Sequence, residues 1–166
     1  MLLCNLSVCK VIFALMHIQW LLKKFKDLTP YQLYAILQLR NEVFVVEQNC
    51  VFQDADDKDQ QSYHFMGFAN NKLVAYTRLV PPGIAYDEPS IGRVVTSPSA
   101  RGTGAGKELM QQSIKMCYEL FGRKPIKIGA QLYLEKFYND LGFIKCSDTY
   151  LEDGIPHIYM IKEAVS

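Results

Sequence analysis

The sequence predicts a mixed α/β (α+β) domain, a central mixed sheet of about six to seven strands flanked by helices. Three observations carry this. Short runs rich in β-branched and aromatic residues recur between turn residues. Segments of helical period interrupt them. Near mid-chain a glycine-rich turn joins a strand directly to the longest helical segment. At 166 residues the chain suits one domain with a substantial core. We place that domain at 16–166 and read residues 1–15 as an extension or early start ahead of it, the alternative being a first strand that continues upstream of Met16.

The elements follow in order. Residues 17–25 read as an opening strand. In "DLTPYQLYAILQLRNEVFVVEQ", Thr29 is a good N-cap and Pro30 suits the first helical turn. Tyr31, Tyr34, Leu37 and either Val43 or Phe44 give its apolar stripe. The β-branched tail "VFVVE" is poor helix and could leave it. "CVFQDADDKDQQ" reads as a solvated loop. "SYHFMGFANNKLVAYTRLV" is a hairpin with Asn70-Asn71 at its turn. "PPGIAYDEP" is a turn-rich connection, and "SIGRVVTSP" a strand stopped by Pro98. From Gly104, the residues Leu109, Met110, Ile114, Cys117 and Phe121 recur at helical spacing, with Gly122 as a stop. "PIKIGA" is a strand, "YLEKFYNDLGF" a short helix, and strands near 144–150 and 156–162 finish the chain.

Composition excludes several function classes. The net charge is +1 and charged residues make up 21% of the chain, so no basic field invites nucleic acid. The five cysteines are odd in number and form no Cys-x-x-Cys pair. That argues against a disulfide framework or a zinc site and for a reducing, cytoplasmic setting. The apolar stretch Val11 to Leu22 spans only 12 residues, too few to cross a bilayer. "DADDKD" begins like a calcium loop, but Lys58 stands where a third ligand is needed and Asp59 where glycine is needed. We expect no metal, no nucleic acid and no membrane partner; the acidic residues could instead attract a basic acceptor.

The stretch "SARGTGAGKELM" holds the chemistry. A P-loop would need glycine at Arg101 and Ser or Thr at Glu108. A dinucleotide fingerprint starting at Gly104 would need glycine at Leu109. What stands is Arg-x-x-Gly-x-Gly, from Arg101 through Gly104 to Gly106. Backbone N–H groups of such a loop close on an anion at a helix N-terminus.

The order strand, Arg-x-x-Gly-x-Gly, helix, strand, then "FYNDLGF" resembles the GNAT superfamily of acetyltransferases. "VVTSPSARGTGAGKELM" is similar to its acetyl-coenzyme A motif, and "EKFYNDLGF" to its second motif. Within that superfamily "LYAILQLRNEVFVVEQNC", "IGRVV", "GAQ" and "EDGIPHIYM" resemble the ElaA-like proteins. The likeness covers roughly residues 16–162. It implies a GNAT fold and transfer of an acetyl group from acetyl-CoA to an amine acceptor, a small molecule or a protein, by direct attack on the thioester.

The resemblance also implies roles. Gly102, Thr103, Gly104, Ala105, Gly106 and Lys107 would cradle the pyrophosphate, with Arg101 pairing a phosphate or bracing the turn. Backbone groups of Val94, Val95 and Thr96 would hold the pantetheine arm, and Gln131 lies near a cofactor-contacting position. Tyr138 matches the proton donor to the departing thiolate; a phenol with pKa about 10 is protonated at neutral pH. Glu47 is the candidate base, acting directly, through water, or by holding a cationic substrate. Gln48, His64 and His157 are the other candidate acceptor contacts. A homodimer is left open. Two other readings stand beside this one. The chain could be an acyl-CoA-binding sensor or interaction module without turnover. It could also use another acyl donor, since "LRNEVFVVEQ" is similar to the N-terminal pattern of acyl-homoserine-lactone synthases.

Overall fold

The computed structural model describes residues 17–164, so the proposed extension at 1–15 lies outside the described residues. Strand β1 (Gln19–Lys24) leads to helix α1 (Pro30–Arg40), then β2 (Tyr63–Ala69), β3 (Lys72–Val80) and β4 (Ser90–Thr96). Helix α2 (Ala105–Phe121) crosses to β5 (Ile126–Gln131). Helix α3 (Glu135–Asn139) follows, then β6 (Ile144–Lys145), β7 (Tyr150–Glu152) and β8 (Ile155–Lys162). One mixed sheet runs β1-β2-β3-β4-β5-β8-β6, with β7 also on β8. All pairs are antiparallel except β4 with β5.

Among the described residues the eight strands exceed the expected six to seven because the strand expected at 144–150 is two short pieces. Between them Ser147 Oγ accepts the Tyr159 N–H at 2.8 Å, so a side chain takes a rung of the ladder that backbone would otherwise hold. The hairpin turn at Asn70-Asn71 stands as predicted, with both residues at positive φ.

Helix α1 starts at Pro30 behind a full capping box: Gln32 N–H donates to Thr29 Oγ1, and Thr29 N–H to Gln32 Oε1. The expected stripe is mostly on the wrong face, since Tyr31 and Tyr34 are 88% and 70% exposed. Of the expected stripe Val43 is buried, and Ile36 and Leu39 join it in place of the tyrosines, against Met66, Tyr76 and Val95. Apolar residues lie all round this helix, so periodicity alone could not choose the buried face. The "VFVVE" tail stays helical, as π-helical turns over Asn41–Glu47. On the opposite side of the sheet, α2 and α3 cover the larger core, in which Leu109, Met110 and Cys117 meet Phe65, Ile126 and Ile128.

The acidic loop is not solvated. Asp54, Asp56 and Asp59 turn inward onto three arginines. Arg40, wholly buried, binds Asp54 at 2.6 Å and Asp59 at 2.9 Å. Arg78 binds Asp56 at 2.6 Å and Asp59 at 2.8 Å. Arg93 reaches Asp54 at 2.6 Å through Nε, in an ion pair without hydrogen-bond geometry, and Asp56 at 3.3 Å. Each buried charge thus faces its opposite, which buried charges require. Burial alone would raise the Asp56 and Asp59 pKa values. The arginines outweigh it and hold both carboxyls below the usual range.

Candidate functional site

Strands β4 and β5 touch only at their beginnings. Ser90 pairs with Lys127, and the Lys127 N–H donates to Pro89 O at 3.1 Å. Beyond this point β4 is bent by a bulge: Tyr76 pairs with Val95 and Arg78 with Gly92, leaving Arg93 and Val94 opposite one residue of β3. Arg93 has φ +52, a conformation that side chains rarely adopt. Asp54 and Asp56, from the acidic loop between α1 and β2, grip its side chain there. Past Ser90 and Lys127 no ladder pair joins β4 to β5, so Val94, Val95 and Thr96 border a cleft in the hydrogen-bonding of the sheet.

The cleft runs into the β4–α2 loop. Gly102 and Gly104 have φ +74 and +90, and a Cβ at either would meet nothing within 4 Å. Gly104 is the N-cap of α2, whose first internal bond runs from the Glu108 N–H to Gly104 O at 3.1 Å. The N–H groups of Ala105, Gly106 and Lys107 therefore have no partner inside the helix. Thr103 Oγ1 donates to Ala100 O at 2.7 Å and fixes the turn. The room above the glycines and the free first-turn donors fit a phosphate or pyrophosphate.

Arg101 and Glu47 meet each other. Two hydrogen bonds of 2.7 and 2.8 Å join the guanidinium to both carboxylate oxygens. Arg101, by hydrogen bond and charge, holds the Glu47 carboxyl below its usual range. The candidate base is thus engaged by the candidate phosphate ligand. Gln131 Nε2 donates to Gln48 Oε1 at 3.2 Å, and Gln131 pairs across the ladder with His157. Those three side chains come together on the α1 face of β5. His157 uses Nδ1 on Ile155 O at 2.8 Å.

His64 is removed from the acceptor contacts. It is fully buried, with Nδ1 on Tyr76 Oη at 2.8 Å and Nε2 on Asp59 O at 3.0 Å. Burial pushes its pKa down, so it is a neutral brace between β2 and the acidic loop. Tyr138 is 5% exposed and packs edge-on against Phe137 and Phe143. Burial raises its pKa, which keeps the phenol protonated.

The arginine cluster escaped the sequence reading. A signal was present: Arg78 and Arg93 each interrupt an apolar strand, in "YTRLV" and "GRVV", and a buried arginine demands carboxylates. Among the described residues no group of three or more His, Cys, Asp or Glu converges to hold a metal ion, and no helix is long and apolar enough to cross a membrane.

A family model described as an acetyltransferase (GNAT) domain matches residues 28–164. ElaA of Escherichia coli is 42% identical over 150 residues, covering 89% of this chain and 98% of that protein. Its crystal structure superposes with a TM-score of 0.83. An acyl-CoA N-acyltransferase from Pseudomonas aeruginosa, 41% identical, superposes with a TM-score of 0.84 over 88% of this chain and 99% of that one. The CoA-dependent acyl-homoserine lactone synthase BjaI shares the fold at 13% identity, with a TM-score of 0.74 over 90% of this chain and 84% of its own.

Proposed function

The chain belongs to the GNAT family of acetyltransferases, and from that premise we propose that it moves an acetyl group from acetyl-CoA to an amine by direct attack on the thioester. Acyl-CoA-dependent acyltransferase chemistry in general is what the family match and the two close relatives support. The single observation that carries the finer reading is the continuity of a cleft with an anion cradle. The parted ends of β4 and β5 run into a left-handed glycine loop whose helix presents free N–H groups.

In this reading the first turn of α2, Ala105 to Lys107, takes the pyrophosphate, where the helix dipole favours negative charge. Val94, Val95 and Thr96 offer backbone hydrogen bonds to the pantetheine amides along the cleft, with Gln131 on its far side. Arg101 exchanges Glu47 for a phosphate. Tyr138 donates its proton to the thiolate as the C–S bond breaks. Gln48 and His157 border the acceptor. Glu47 either accepts a proton or, once released, holds a cationic acceptor. A cytosolic setting without nucleic-acid or membrane partners belongs to the same proposal, supported by the balanced charge and the unpaired Cys50, Cys117 and Cys146.

A binding module without turnover has two observations on its side: the bidentate hold on Glu47 and the core position of Tyr138. One experiment separates the readings. The protein is mixed with acetyl-CoA and a panel of amines, and free thiol is followed, with calorimetry of acetyl-CoA alongside. Accelerated thiol release with at least one amine is expected. Binding without release would leave the sensor reading.

A further inference from the structure

Gly129 lies inside strand β5 yet is exposed. It stands two residues past Lys127, where β5 begins to part from β4. A Cβ built on it would lie 3.2 Å from Tyr86 Oη and 3.2 Å from Tyr150 Oη. Two phenols from distant parts of the chain, the β3–β4 connection and β7, thus bring their hydroxyls over one patch of bare backbone. Gly92, two residues past Ser90 on β4, likewise carries no side chain, and a Cβ there would meet nothing within 4 Å. The root of the cleft is therefore bordered by two glycines and overhung by two hydroxyls. A cavity of about 340 Å³, lined by Gly83–Glu88 and Lys127, opens beside it.

The rings are held firmly. Tyr150 lies 4.7 Å from Tyr159, and Tyr86 meets Tyr159 edge-on at 5.7 Å. Lys127 Nζ sits 5.1 and 5.3 Å from the Tyr86 and Tyr159 ring centres. The Tyr150 hydroxyl donates onward to Glu152 Oε2 at 3.4 Å, and that carboxylate is exposed beside the β7–β8 turn. The distance is long for a resting bond, as hydrogen bonds along a proton path often are before substrate arrives. His157 lies across the ladder from Tyr150, ring centres 5.9 Å apart, and Cys146 is near Tyr86. Burial, above all, raises the pKa of both Tyr86, to about 12, and Tyr150, so each stays a hydroxyl at neutral pH.

Resting on the acetyl-transfer reading, we propose that Tyr150 and Glu152 form the proton exit for the acceptor amine, with Tyr86 as the second hydroxyl that orients it. The acceptor arrives as an ammonium ion and gives one proton to Tyr150 Oη while Tyr150 passes its own to Glu152 and so to water. The freed nitrogen lone pair forms the N–C bond. The C–S bond breaks, its electron pair leaves on sulfur, and the thiolate takes a proton from Tyr138. The acylated nitrogen, now strongly acidic, sheds its second proton directly to water, and Tyr138 is reprotonated from solvent. The sum is ammonium plus thioester giving amide, thiol and one released proton. With this exit in place Glu47, once Arg101 releases it, is left to hold a cationic acceptor and is not needed as the base.

The test uses Glu152→Gln, Tyr150→Phe and His157→Gln, each checked by thermal melt and by acetyl-CoA calorimetry. Acceptors are the amine found by the panel and hydroxylamine, which is already neutral at pH 7. With the panel amine, Glu152→Gln lowers kcat/KM about 10²-fold and moves its acid limb to higher pH, and Tyr150→Phe does the same. Acetyl-CoA affinity stays within twofold and hydroxylamine transfer within a few-fold. An unchanged pH profile in Glu152→Gln, or a loss confined to His157→Gln, overturns the relay while the transferase reading stands. Absence of thiol release by the wild-type protein with every amine removes both.

Discussion

Arg101 holds Glu47 in a two-pronged bridge, 2.7 and 2.8 Å long, that ties the end of the helical segment after α1 to the glycine loop before α2. A guanidinium so engaged cannot face a phosphate until it lets go. In the proposed reading, where Arg101 takes a phosphate, the bridge works against cofactor binding. Both side chains are half open to solvent, so the opposition is mild.

Glu47→Gln is expected to tighten acetyl-CoA binding by roughly threefold to tenfold, since the neutral amide competes poorly for Arg101. Turnover should stay within a few-fold of wild type if the amine's proton leaves elsewhere. Calorimetry and steady-state kinetics check both. A fall in kcat of about 10²-fold would instead make Glu47 the base. The acid limb of kcat/KM, which reports the free enzyme, would then lie below the usual carboxylate range, because Arg101 stabilises the charged form there.

Gly104→Glu should abolish acetyl-CoA binding without unfolding the protein. The backbone at φ +90 resists a side chain by about 1–2 kcal/mol, but the space around it is empty. A carboxylate there faces the incoming pyrophosphate. Unchanged affinity by calorimetry would remove the phosphate cradle.

Asp59→Asn should cost about 3–5 kcal/mol, because Arg40 and Arg78 lose a shared buried carboxylate. A fall in melting temperature of roughly 10 °C or more is the readout. The same cluster predicts acid sensitivity. Asp56 and Asp59 have folded pKa values depressed below the unfolded value of about 3.9, so their contribution is complete above that value. It is lost progressively as pH falls below about 4. Urea titrations at pH 7 and pH 3.5 should therefore differ, and less so in Asp59→Asn.

Tyr138→Phe keeps the ring and removes one hydroxyl. As proton donor to the thiolate, Tyr138 should take about 10²-fold of kcat with it, leaving acetyl-CoA affinity nearly unchanged. Lower stability with normal turnover would leave it as the core side chain its burial describes.

Local chemistry made much of this fold legible. Thr29-Pro30, Asn70-Asn71 and the glycines before α2 each act within a few residues, and each marks its element in the sequence. Two things were not local. The buried face of α1 is chosen by what β2, β3 and β4 present, and Tyr31 and Tyr34 look as apolar in sequence as Ile36 and Leu39. The acidic loop read as solvated because its partners, Arg40, Arg78 and Arg93, are spread along the chain. At the site, the glycine loop announced itself. The meeting of Tyr86 with Tyr150 over Gly129 did not, since a connection, a strand and a hairpin must fold together before it exists.

The single ladder pair between β4 and β5, Ser90 with Lys127, makes the sheet two half-sheets bolted at one end. β1 to β4 form one antiparallel leaf, and β5 with β8, β6 and β7 the other. Past the bolt, neither leaf supplies the other with rungs. An acyl donor lying along the seam would act as a surrogate strand, its amides bridging backbone groups that the two leaves cannot offer each other. In the proposed reading the sheet would be a zipper whose last teeth belong to the substrate. Amides of β4 near its end should exchange with solvent quickly in the free protein and slow together when the seam is filled.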